Sequence, residues 1–207
     1  MRGLMMDNPL LISSIVEHAD INFPDREIVS VMSDDLIHRY TYKDCFKRVR
    51  KLANALTSIG LSEGDRIATI AWNDYRHLEA YYAIGGAGYV CHTINPRLFP
   101  EQIVFMINHA EDKWLMIDPL FIPLIEKLSS QIPNVEGYIV MGDEESIKNT
   151  SLDNVISYEK LIGNESDQFS WPHLDEKSAM GLCYTSGTTG DPKGVLYNHR
   201  AMVLHAF

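Results

Sequence analysis

Between Thr185 and Lys193 the chain sets the hydroxyls of Thr185, Ser186, Thr188 and Thr189 among Gly187 and Gly190, and Lys193 follows Asp191-Pro192. Glycine lets a backbone approach a ligand closely and turn its N–H groups inward. The hydroxyls add donors or an oxygen for Mg²⁺, and lysine adds a point charge suited to phosphate. Together they suit the β- and γ-phosphates of ATP, or the pyrophosphate these become. Backbone N–H groups from Gly187 to Gly190 would supply directional donors, and Lys193 would offset charge. Such contacts assist catalysis when they strengthen as the leaving group develops charge. A plain Gly/Ser/Thr turn is the bland alternative for a stretch of this composition.

The flanks, Met180-Gly181-Leu182-Cys183-Tyr184 and Val195-Leu196-Tyr197, are apolar and strand-like. The loop therefore joins two strands instead of opening a helix. Other nucleotide motifs fail on spacing. A Walker loop, G-x-x-x-x-G-K-[ST], meets Pro192 when counted from Gly187 and Val195 when counted from Gly190. Gly86-Ala87-Gly88 meets Cys91 where a dinucleotide fingerprint needs glycine. A nucleophile elbow around Ser186 would need glycine where Tyr184 stands.

In its order, Tyr184 to Val195 resembles the signature of the adenylate-forming superfamily, which holds acyl-CoA synthetases, luciferases and peptide-synthetase adenylation domains. His199-Arg200 just after it fits the same pattern. His92 to Leu98, Ile107 to Asp112 and the opening Met1 to Asp7 are similar to the medium- and long-chain fatty acid–CoA ligase branch. The resemblance implies a two-step reaction. A fatty acid carboxylate attacks the α-phosphate of MgATP to give acyl-AMP and pyrophosphate, and the thiol of coenzyme A (CoA) then displaces AMP. It implies ATP, Mg²⁺ and CoA as cofactor and co-substrates. It gives Thr185 as a Mg²⁺ hydroxyl, Ser186, Gly187, Thr188, Thr189, Gly190 and Lys193 as phosphate contacts, and His199 as a residue near the acid. The runner-up is a ligase for an aryl or short-chain acid. A non-catalytic nucleotide-binding or interaction module is the reading from another class.

The resemblance also implies that these residues are an N-terminal portion. Relatives carry an adenine- and Mg²⁺-binding motif with a glutamate, a ribose-binding aspartate and a C-terminal lysine downstream, and Lys193 is not that lysine. The 207 residues alone are then expected to be inactive, with the rest of the large domain and the C-terminal domain absent. Consistent with this, the sequence stops within a helical pattern whose apolar face holds Met202, Val203, Ala206 and Phe207.

Composition is ordinary globular material, with 45% hydrophobic and 22% charged residues. A formal charge of −10 argues against a nucleic-acid or anionic-membrane surface. Cys45, Cys91 and Cys183 are widely spaced, which points to ordinary thiols in a reducing compartment and to no zinc site. No run is long enough to span a bilayer, so a cytoplasmic location is expected. Spacings among His92, His109, His199 and His205 match no metal-ligand set. Trp72, Tyr75, Tyr81 and Tyr82 read as core, and Asp118 and Asp175-Glu176 as turn and cap residues.

The elements that must carry the loop alternate along the chain. Ile28 to Met32 and Ile37 to Thr41 form an expected hairpin. Thr41 caps a helix with Asp44 three residues on, and Phe46, Val49, Leu52, Ala53, Leu56 and Ile59 share its inner face. A strand over Arg66 to Trp72 leads to a helix that Gly85, Gly86 and Gly88 should end. Strands over Tyr89 to Thr93, Lys113 to Ile117 and Tyr138 to Met141 alternate with helices opened by Pro100 and Asp118-Pro119. Asn198 caps a final helix. The prediction is an α/β fold, a largely parallel sheet flanked by helices and incomplete at its C-terminus. Residues 1–178 form an N-terminal α/β subdomain with a polar surface excursion over 142–172, holding one short helix near Tyr158-Leu161. Residues 179–207 form the loop hairpin and the start of the next helix. Pro9 to Val16 is the apolar stretch expected to serve a homodimer.

Overall fold

Helix α1 (Ile12–Asn22) leads into an antiparallel hairpin of β1 (Glu27–Val31) and β2 (Ile37–Thr41). The computed structural model describes residues 1, 4–33, 35–185 and 192–207. Thr41 turns the chain into α2 (Tyr42–Ser58) through the expected reciprocal cap. Its hydroxyl accepts from the Asp44 N–H, and the Asp44 carboxylate accepts from the Thr41 N–H. Then β3 (Arg66–Ile70), α3 (Tyr75–Gly86), β4 (Val90–Thr93), α4 (Pro100–Ala110), β5 (Trp114–Ile117), α5 (Ile122–Leu128) and β6 (Gly137–Val140) alternate. The chain continues through β7 (Val155–Ser157), α6 (Tyr158–Gly163), β8 (Ala179–Thr185), β9 (Lys193–Asn198) and α7 (His199–Ala206).

The main sheet has seven strands in the order β7-β6-β5-β3-β4-β8-β9. Every neighbouring pair is parallel except β8 and β9. Strands β5 and β6 are buried at every position, the pattern of strands covered on both faces. On one face α1, α2, α3 and α6 close a core around Leu52, Leu56, Ile67 and Ile84. On the other, α4 and α5 pack Ile103, Met106 and Ile125 against Ala68, Ile70 and Leu115. The predicted fold class, a mostly parallel sheet flanked by helices, is the one that forms. Among the described residues no helix is long and apolar enough to cross a membrane.

One expectation needs correction. The 142–172 excursion is not only surface: Val155–Ser157 pairs with β6 as an edge strand, and Tyr158 at the start of the expected short helix is fully buried. Its strand is three residues long, too short to show a period. Helix α3 ends at Gly86, so Gly85 and Gly86 stand at its end as expected, and there they also admit close neighbours. A Cβ on Gly85 would lie 2.7 Å from the Met180 methyl, and one on Gly86 would lie 2.6 Å from the Trp171 ring. Gly88, at φ +94°, makes the left-handed turn that follows. The Pro9 to Val16 stretch buries Leu11, Ile12 and Val16 inside its own chain.

The Gly86 contact can be tested against a glycine with room. Gly86→Ala is expected to cost about 1–3 kcal/mol by overpacking against Trp171. Gly163→Ala, whose Cβ meets nothing within 4 Å, is expected to leave stability unchanged or slightly raised. Thermal unfolding of both variants beside the unchanged protein checks the contrast.

Candidate functional site

Strands β3, β4 and β8 run parallel, so their carboxyl ends open on the same edge of the sheet, the edge where ligands bind in open α/β folds. The chain winds outward from β3 in both directions, to β4 on one side and to β5 on the other. Strand β8 pairs with β4 through Cys91↔Gly181, His92↔Leu182 and Thr93↔Cys183. Its other edge pairs antiparallel with β9, ending at Thr185↔Lys193. Thr185 and Lys193 are therefore neighbours across the mouth of the hairpin, with the Thr185 hydroxyl 3.5 Å from the Lys193 carbonyl oxygen. Ser186, Gly187, Thr188, Thr189 and Gly190, the other predicted phosphate contacts, lie outside the described residues.

A cleft of about 480 Å³ opens at these strand ends, walled by Trp72, His77, Thr93, Tyr184, Thr185 and Pro192 among others. Thr185 is exposed there, and Lys193 is exposed beside it with no ion pair among the described residues. One exposed hydroxyl fits Mg²⁺, which is held by few protein oxygens and completes its shell with water and phosphate. A free lysine and a β-hairpin mouth fit a polyphosphate, so ATP suits the residues present.

Sequence reasoning missed His77. Its Nε2 lies 2.9 Å from the Thr69 hydroxyl and its Nδ1 lies 3.3 Å from the Trp72 carbonyl oxygen. A carbonyl only accepts, so Nδ1 carries the proton and Nε2 accepts from Thr69. Burial pushes the imidazole below its ordinary value, keeping it neutral in the cleft wall. A usable signal was there: His77 sits in the first turn of the helix that Asp74 caps after a strand end. Trp72, read as core, instead forms cleft wall, with the Arg97 guanidinium 5.1 Å above its ring. Cys183 also borders the cleft, its sulfur 3.2 Å from the Thr93 hydroxyl.

The structure does not bring His199 to this cleft. It follows β9 at the base of the hairpin, opposite the mouth and roughly 20 Å away at strand spacing. There it is fully buried, and its Nδ1 accepts the Ile12 N–H at 3.3 Å. Glu176 joins the same corner by accepting from the Leu10 N–H at 2.9 Å and pairing with Arg200 at 2.8 Å. His92 is buried against Asp112, and His109 bonds the Tyr184 hydroxyl. Among the described residues no three His, Cys, Asp or Glu side chains form a metal-holding group. Asp118 caps the turn before α5, as read, and also faces Arg76 beside Asp74.

A family model described as AMP-binding enzyme matches residues 16–207. A medium-chain-fatty-acid–CoA ligase of Ectopseudomonas oleovorans is 52% identical over all of this chain, which spans 38% of that protein's length. A 3-methylmercaptopropionyl-CoA ligase of Ruegeria lacuscaerulensis is 48% identical, again over all of this chain and 38% of its own. A crystal structure of an anthranilate CoA ligase in complex with anthranoyl-AMP superposes with a TM-score of 0.81 at 19% identity. It covers 97% of this chain and 37% of that one, and shows the same fold.

The hairpin base carries a pH signature. Burial pushes His199 below its ordinary value of 6.5, so the unfolded chain binds the proton more readily than the folded one. The stability that His199 contributes is complete above pH 6.5 and is lost as pH falls from there toward the lower folded value. His199→Asn keeps an acceptor for Ile12 and does not titrate. Urea unfolding from about pH 7 to about pH 5 should show the unchanged protein losing stability relative to the variant. Parallel pH profiles would refute the assignment.

Proposed function

The chain belongs to the family of AMP-binding enzymes, and from that premise we propose that the intact protein is an AMP-forming ligase joining a medium- or long-chain fatty acid to coenzyme A. The observation that carries the reading is the hairpin mouth at the strand ends, with exposed Thr185 beside the cleft and Lys193 across from it, without an ion pair among the described residues. The name of the 52% identical relative supports the acid class.

In the first half-reaction an acid carboxylate oxygen attacks the α-phosphorus of ATP. The bond to the bridging oxygen breaks, and pyrophosphate leaves with its electron pair. Ser186, Gly187, Thr188, Thr189, Gly190 and Lys193 hold the departing phosphates, and Thr185 supplies a hydroxyl to Mg²⁺. When bound, the metal neutralises phosphate charge. In the second half-reaction the CoA sulfur attacks the acyl carbon, the thiol proton is lost, and AMP leaves. Neutral His77 adds no positive charge where the acid approaches. The 207 residues by themselves are silent in this scheme, and a cytoplasmic location belongs to the same reading. A ligase for a shorter, substituted acid is the second reading, favoured by the 48% identity to a 3-methylmercaptopropionyl-CoA ligase.

AMP release from ATP and CoA, measured across acids from acetate to palmitate with the intact gene product, decides between them. Highest turnover with medium or long acids supports the first reading, and highest turnover with short acids the second. Silence with every acid would leave a nucleotide-binding module. In an active protein, Thr185→Val is expected to lower kcat/KM for ATP by about a hundredfold, and binding of the acid alone should be unaffected.

A further inference from the structure

Below the cleft, His92 on β4 and Asp112 in the turn after α4 are both fully buried, with Nδ1 and Oδ2 2.8 Å apart. The other polar atom of each, His92 Nε2 and Asp112 Oδ1, has no hydrogen-bond partner among the described residues. A buried polar pair left half satisfied is a poor device for stability alone. Apolar residues of similar volume commonly hold a fold as well or better.

What the pair touches gives it another role. The His92 ring lies 5.1 Å from the Tyr184 ring, tilted by 41°. The Tyr184 hydroxyl is held 2.6 Å from Nδ1 of His109, the next-to-last residue of α4. Tyr184 is thus fixed at its ring by a histidine that Asp112 orients, and at its hydroxyl by the same helix that delivers Asp112. Tyr184 directly precedes Thr185 and lines the cleft with it. The imidazole can act as a fixed wall only if its plane is set, and a hydrogen bond to a carboxylate sets it.

We infer that His92 and Asp112 are a positioning pair that holds Tyr184, and through it Thr185, in place for the nucleotide. The pair acts on ATP and not on the acid. This rests on the loop being the phosphate site of the proposed ligase.

The test is made on the intact gene product by acid-dependent exchange of pyrophosphate into ATP. The unchanged protein comes first: no exchange with any acid would remove the ligase reading and this inference together. Given exchange, the apolar double variant His92→Leu/Asp112→Leu is expected to raise KM for ATP about tenfold or more. Its KM for the acid should stay within about twofold and its Tm should not fall, because the apolar pair keeps the packing. His92→Asn, whose amide N–H stands where Nδ1–H does and can donate to Asp112, is expected to recover most of the ATP affinity. A folded double variant with unchanged KM for ATP would overturn the inference while leaving the ligase reading intact, as would equal rises for ATP and acid. Should the double variant fail to fold, the isosteric Asp112→Asn decides by the same comparison. A selective rise in KM for ATP supports the pair, and no rise overturns it.

Discussion

Strand β8 is the piece on which the cleft depends. On one edge it follows the parallel direction of β4, and on the other it accepts β9 running back. The parallel edge sends its carboxyl end to the same rim as β3 and β4. The antiparallel edge forces the chain to turn at that rim and not to leave through a helix. The strands that flank the glycine- and hydroxyl-rich stretch are fixed by pairing with each other and with β4, where a Walker loop would rely on a helix N-terminus. The interior of β8 matches this demand: Met180, Gly181 and Leu182 are buried, and exposure rises toward Thr185.

Much of this was legible in the residues. The capping box at Thr41, Pro100 opening α4 and Asn198 capping α7 are local chemistry, and local chemistry reads well from one dimension. The hairpin around the loop was legible for the same reason. What stayed hidden was set by distant partners. The close approach of Met180 and Trp171 to Gly85 and Gly86 is one such contact. Strand β7 is too brief to pattern, and it exists because β6 offers an unpaired edge. The cleft-wall role of His77 depends on Thr69, which only the strand's alternation turns toward it. The place of His199 at the hairpin base follows from register, which no motif spacing encodes.

Charge follows a similar division between local and collective effects. The chain is acidic as a whole, yet many of its arginines are committed internally. Arg48 bonds Glu79 and Glu159, each at 2.8 Å, and the Tyr158 hydroxyl donates to Glu79 at 2.6 Å. Arg76 is held by Asp74 and the Met141 carbonyl, with Asp118 close by. These groups tie α2, α3 and α6 together. Positive charge at the cleft is concentrated in a few exposed side chains, Lys193 and Arg97 among them. An anion drawn to this edge meets local donors within an unfavourable long-range field.

The hydrogen bonds from Leu10 to Glu176 and from Ile12 to His199 span 166 and 187 residues of sequence. A ribosome adding about 5–20 residues per second needs roughly 10–40 s between making the donor at Ile12 and making its acceptor. During that interval β3 to β6 can already be pairing, because each finds its neighbours nearby in the chain. Leu10 and Ile12 are thus made early and gain these two acceptors late.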